Sequence, residues 1–165
     1  MHALVGKLTN QHEMLLDSLD ESLQPFAEIR DKNLPAPPNP EQIARPLLRW
    51  MQREFLPHLV EEEDLFRPYF MPTEEGEALF ASIGGEHAKL RKLLRQAREE
   101  INLLLGKASI RQAWWDTVDL STLWAFRRAL SEHIEFEHRH VFPKVIALDV
   151  NAPSPGREPG AAPAG

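Results

Sequence analysis

Six side chains of the 165-residue chain combine the residue types and spacing needed for metal chemistry: His12, His58, Glu62, His87, His133 and Glu137. His58 and Glu62 are four residues apart, as are His133 and Glu137. On a helix such residues share a face about one turn apart, so each pair offers a nitrogen and a carboxylate to the same layer. His12 and His58 are separated by 46 residues, and so are His87 and His133; the whole triplet repeats at an offset of 75. Apolar positions follow that offset: Leu8 with Ile83, Leu15 with Leu90, Leu19 with Leu94, Met51 with Phe126, Phe55 with Leu130. Pro68 and Pro143 match as well. A repeat of this kind reads as two equivalent helical hairpins related by a pseudo-twofold axis, each with its lone His level with its His–Glu pair.

Four His and two Glu at one level of one core need a compensating partner. A buried ionised carboxylate costs several kcal/mol. Two carboxylates side by side repel, and one pKa is forced upward. A pair of divalent or trivalent cations resolves both: bridging carboxylates neutralise two close ions, and neutral imidazoles fill the outer positions. A mixed N/O donor set favours iron, with manganese or zinc as lesser candidates. Any one of these His, alone, reads as a hydrogen-bonded core residue, and a single i,i+4 His–Glu pair as a weak solvated contact. The coincidence of one His per segment, two matched Glu and one offset distinguishes a metal site. A metal-free helical interaction module conflicts with the burial of two carboxylates.

The elements that must position these residues are helical. Four segments carry apolar residues at three- and four-residue spacing. The first runs from about Ala3 into the late twenties, with Leu8, His12, Leu15, Leu19, Leu23 and Phe26 on one stripe and Pro25 as a bend or early stop. A breaker cluster spans Asn33 to Pro40, with Asn39 as N-cap and Pro40 as first helical residue of the second segment. That segment aligns Ile43, Leu47, Met51, Phe55, His58, Glu62 and Leu65, and ends near Pro68 to Pro72. Its Pro46 and Pro57 each remove an N–H and should kink or restart the helix.

Thr73 is the expected cap of the third segment, with Glu74 and Glu75 in its first turn. Its stripe is Phe80, Ile83, His87, Leu90, Leu94, Ala97, Ile101 and Leu104, and Gly106 is the expected stop. A linker with Trp114 and Trp115 leads to Asp119, the expected cap of the fourth segment. There Leu123, Phe126, Leu130, His133 and Glu137 align, with His140 or Val141 next, ending around Pro143 to Leu148. No segment alternates like a strand. The fold class is therefore all-α: an antiparallel up-down four-helix bundle over residues 1–150. Residues 151–165 hold four Pro and three Gly and read as a disordered Pro/Gly/Ala-rich tail.

Composition narrows the function further. With no cysteine, a disulfide scaffold, a zinc ribbon, a thiol nucleophile and an iron–sulfur ligand set are excluded. No apolar run reaches the roughly 18 residues of a membrane span. The N-terminus lacks the pattern of a signal peptide, so a cytoplasmic location is expected. Net charge is −6 without a basic cluster, which argues against nucleic acid or an anionic membrane as partner.

At these residues the sequence resembles the hemerythrin-like family of HHE cation-binding bundles, over about residues 1–148. The matching fragments are Gln11-His12-Glu13, His58 to Glu62, Glu86-His87, and His133 to Glu137 running into Val141-Phe142-Pro143. Ferritin-like carboxylate bundles, the near competitor, carry Glu-x-x-His instead. The resemblance implies a non-haem di-iron centre bridged by Glu62 and Glu137, with His12 and His58 on one iron and His87 and His133 on the other. Oxygen-carrying members have a further His where this chain has Arg91, and a bridging Asp where it has His138. The chain thus matches the symmetric four-His, two-Glu variant, found among proteins of nitrosative stress, iron–sulfur cluster repair and iron sensing. It lacks the Cys-containing N-terminal segment of the repair proteins.

The expected role is non-enzymatic: binding or sensing O2 or NO, or handling iron under oxidative stress, in a monomer or weak homo-oligomer. The alternative is a di-iron enzyme of peroxide or NO turnover, or of iron donation for cluster repair. Neighbouring residues are expected to be peripheral. Glu61, Glu63 and Glu135 point away from the ligand face and should be solvated. His138 and His140 flank the fourth-segment site, His140 as an exposed residue with an outer partner or an extra ligand as its alternatives; Tyr69 packs, and Arg91 presents a packed stem and a solvated head.

Overall fold

The computed structural model describes residues 2–32, 40–71, 73–108 and 120–151. Four helical rods account for them. The first is α1 (Ala3–Lys32). The second joins α2 (Glu41–Trp50), a π-turn at Met51–Phe55, and α3 (Leu56–Phe70). The third is α4 (Glu74–Ala108). The fourth joins α5 (Ser121–Phe136), a π-turn at Glu137–Val141, and α6 (Phe142–Asn151). Rod one packs on rod two, rod two on α4, α4 on rod four, and rod four closes back on α1.

The core shows the antiparallel order. Its larger apolar cluster joins Leu15 to Phe26 of α1, Ala44 to Leu59 of rod two, Leu90 to Ile101 of α4, and Leu123 to Ile134 of rod four. Its smaller cluster joins Val5 and Leu8, Phe66 and Phe70, Ile83, and Val141 to Val145. Late residues of the odd rods thus meet early residues of the even rods at one end, and the reverse holds at the other. The bundle is an all-α, up-down four-helix arrangement, with no strand among the described residues.

The two prolines that follow a π-turn explain it. Pro57 is the second residue of α3 and Pro143 the second of α6. A proline ring inside a helix clashes with the carbonyl four residues back and offers no N–H. In both places the backbone has widened one residue earlier: Leu56 N–H bonds Met51 O and Phe142 N–H bonds Glu137 O, each an i to i−5 bond. Where a kink or restart was expected at Pro57, the rod instead continues through this widened turn. Pro25 and Pro46, by contrast, lie inside continuous helix.

Helix ends differ from expectation in places. Thr73 does cap α4: Gly76 N–H donates to its Oγ at 3.0 Å, and Glu77 N–H bonds its carbonyl at 2.8 Å. This turn requires Gly76, because a Cβ there would sit 2.1 Å from the Phe70 carbonyl oxygen. Gly106 does not stop α4, which continues to Ala108; one glycine raises helix free energy by only about 1 kcal/mol. Pro40 already has helical dihedrals, and its carbonyl accepts from Ala44 at 3.0 Å. The fourth rod passes through Pro143 and Leu148 to Asn151. The Asn33–Asn39 breaker with its cap, Trp114, Trp115, the Asp119 cap, and the tail beyond Asn151 lie outside the described residues.

Candidate metal centre

All six predicted residues converge. His12, His58, Glu62, His87, His133 and Glu137 are each buried, and both carboxylates are fully enclosed. They form a layer between the two apolar clusters, reached one turn past Leu8 on α1 and one turn past Ile83 on α4. Glu62 faces both hairpins. Its Oε1 lies 2.7 Å from His12 Nε2 and 3.0 Å from His58 Nε2. Its Oε2 lies 3.5 Å from His87 Nε2 and 3.9 Å from His133 Nε2. Glu137 is placed likewise, with Oε2 3.3 Å from His12 Nε2 and Oε1 3.6 Å from His133 Nε2. Each carboxylate therefore directs one oxygen at each half.

The pseudo-twofold repeat holds in three dimensions. The rings of His12 and His58 meet edge to face at 5.1 Å and 83°, and those of His87 and His133 at 4.9 Å and 70°. Ligand atoms of Glu62, His87, His133 and Glu137 lie within 4.8 Å of one another, as do those of His12, His58 and Glu62.

Electrostatics mark the layer as incomplete on its own. Burial alone would raise the Glu62 carboxyl, but the surrounding imidazoles of His12, His133, His58 and His87 together hold it well below the usual carboxylate range. Glu137 is pushed well above that range by burial and by the adjacent Glu62 charge. Burial lowers His12, against the opposing pull of Glu62, and so favours the neutral imidazole that a cation needs. Glu62 Oε2, both Glu137 oxygens, His87 Nε2 and His133 Nε2 are buried without a hydrogen bond. An orphaned buried acceptor costs about 1–3 kcal/mol. Five such atoms facing one space fit a cationic occupant and no apolar one.

Two residues expected to be peripheral reach the layer. Glu63 was expected in solvent; instead its Oε1 accepts from His87 Nδ1 at 2.8 Å and from Arg91 at 2.8 Å. Burial raises the Glu63 carboxyl, yet these two donors hold it below its ordinary value. Arg91 thus has an ionic partner for its head. His138 Nε2 lies 3.2 Å from His12 Nδ1, with the two rings stacked at 5.3 Å and 22°. The offset of 75 pairs Glu63 with His138, and that is the signal that could have found both. The others are peripheral. Glu61 takes Lys7 and Gln11, Glu135 pairs with Arg139, His140 lies exposed against Phe136, and Tyr69 packs on His2.

A protein-family comparison agrees with this geometry. The model of the hemerythrin HHE cation binding domain matches residues 3–145. The chain belongs to that family, and its buried His/Glu cluster is of the kind that holds a metal cation. No curated protein and no solved structure matches it. Among the described residues no helix is long and apolar enough to cross a membrane.

Proposed function

We propose that the chain is a non-haem di-iron protein that binds or senses a small diatomic ligand, O2 or NO, or handles iron under oxidative stress. His12 and His58 would serve one iron, His87 and His133 the other, and Glu62 and Glu137 would bridge them. The observation that carries this reading is the set of orphaned carboxylate and imidazole atoms enclosed between two apolar clusters.

Donor arithmetic supports open coordination. Four imidazole nitrogens and four carboxylate oxygens make eight donors, or four for each of two cations. Iron in N/O sites takes about six, so roughly two positions per ion stay free of protein. Bound ferrous iron supplies the electrons and the vacant coordination that a diatomic ligand needs. The chain's own contribution is confinement. Leu8, Ile83 and Val141 close one side of the layer, and Leu15, Leu59, Leu90 and Ile134 close the other. Apolar walls of this kind would favour a small apolar gas over larger polar reductants. The same reading puts the protein in the cytoplasm as a monomer or weak homo-oligomer.

The test is anaerobic reconstitution with ferrous iron, followed by titration with O2 and with NO under absorption spectroscopy. Spectral changes that reverse on removing the gas are expected. Irreversible oxidation with turnover of peroxide or NO would replace this reading with an enzymatic one.

A further inference from the structure

The two halves of the layer agree in their inner atoms and differ in what stands behind them. Behind His87 is a carboxylate: Glu63 Oε1 accepts from Nδ1 at 2.8 Å and is braced by Arg91 at the same distance. Behind His12 is a second imidazole, His138, at 3.2 Å. Glu63 and His138 occupy equivalent places, since each follows the bridging-type Glu of its rod and reaches the lone His of the next hairpin. The outer Nδ1 atoms of His58 and His133 have no hydrogen bond among the described residues. Glu63 and His138 are therefore the outer partners that distinguish one half from the other.

We propose that this substitution of one carboxylate by one imidazole makes the two metal positions unequal. The half containing His87 and His133 fills first and binds its cation more tightly, with Glu63 as its positioning residue. The inference rests on the two-cation reading above. Three observations support it. A carboxylate can only accept, so it fixes the His87 proton on Nδ1 and turns the Nε2 lone pair toward the centre. An anion behind an imidazole also raises its basicity as a ligand, whereas the imidazole behind His12, which carries no negative charge, does so less. Finally, ligand atoms of Glu62, His87, His133 and Glu137 all lie within 4.8 Å of one another, whereas in the other half that mutual set is His12, His58 and Glu62, with Glu137 Oε2 3.3 Å from His12 Nε2 but outside the set. Arg91 holds Glu63 in place without touching the centre. His138 is exposed and keeps its place by stacking on His12 and, at 4.9 Å, on Phe142.

The experiment is an anaerobic titration of the metal-free full chain with ferrous iron, read by calorimetry, and with cobalt(II), read by its visible absorption. Wild type should bind two equivalents in separate steps, with affinities about 10- to 100-fold apart. Glu63→Gln keeps an acceptor but removes the charge; it should weaken the first step and bring the two together. His138→Glu should tighten the second step toward the first, which a merely structural role for either residue would not produce. His138 is exposed but stacks on His12 and Phe142, so retention of the fold in this variant is checked by circular dichroism. Two equivalents binding with one affinity in wild type, or a gap unchanged in both variants, overturns the proposal and leaves the di-iron reading standing. Failure of wild type to bind either cation overturns the di-iron reading itself.

Discussion

The apolar clusters and the His/Glu layer between them are built on opposite rules. In the larger cluster, Trp50, Phe26, Phe55 and Phe126 are almost wholly removed from water, and their rings interlock at 5.1–6.1 Å for Trp50, Phe55 and Phe126. Each such side chain contributes about 1.5–3 kcal/mol by burial. The layer is just as buried, yet it holds seven of the ten buried side-chain atoms that lack a hydrogen bond among the described residues. It therefore draws on stability that the clusters above and below supply. The lesson is a division of labour along the bundle axis: the ends hold the rods in register, and the middle keeps donor atoms poised for an occupant.

This contrast can be broken by substitution. The largest effect is expected in the larger cluster, where Phe126→Ala should lower stability by about 3–5 kcal/mol in urea unfolding of the metal-free chain. In the layer, Glu137→Met should do the reverse. It replaces an unsatisfied buried carboxyl by an apolar chain of similar length, and should raise metal-free stability by about 1–3 kcal/mol while abolishing two-cation binding. If Glu137→Met destabilised the metal-free chain as Phe126→Ala does, the layer would be ordinary core. At the bundle end, Thr73→Ala removes only a cap and should cost about 1 kcal/mol, with metal uptake unchanged.

Acidity sharpens the same contrast. Glu137 is raised by burial and by Glu62, so its contribution to metal-free stability is full below the ordinary carboxylate range and is lost as pH rises through its raised pKa. Glu62 is depressed, so its contribution is present above the ordinary range and is lost as pH falls through its lowered pKa. Cations displace the proton from Glu137, so their affinity should climb with pH, and the melting temperature of the loaded protein should not show the high-pH decline. Melting curves across pH, with and without metal, check both limbs.

Much of this was legible in the sequence because helical spacing and an internal repeat are local, countable features. The offset of 75 identified all six converging residues, and the three- and four-residue stripes identified the rods. Glu63 was not legible by the same rule. Rotation by about 100° from Glu62 turns it off the core face, but α4 packs along that flank and brings His87 Nδ1 to it. The π-turns also escaped notice. Each proline advertised a disruption, but whether the helix breaks, kinks or widens depends on the packing that keeps the rod straight, as Pro25 and Pro46 show by lying in unbroken helix. Gly106 failed as a stop signal for a related reason: an intrinsic preference of about 1 kcal/mol is small beside the burial of nearby Ile101 and Leu104.

The central claim is that one layer of four imidazoles and two carboxylates holds two metal ions. Its most direct test is the iron content of the anaerobically reconstituted, desalted chain, measured beside His87→Ala and Glu137→Ala. About two irons per wild-type chain are predicted, with loss of the pair in both variants and helicity retained. No tightly held iron in wild type, or full loading in either variant, would contradict the account.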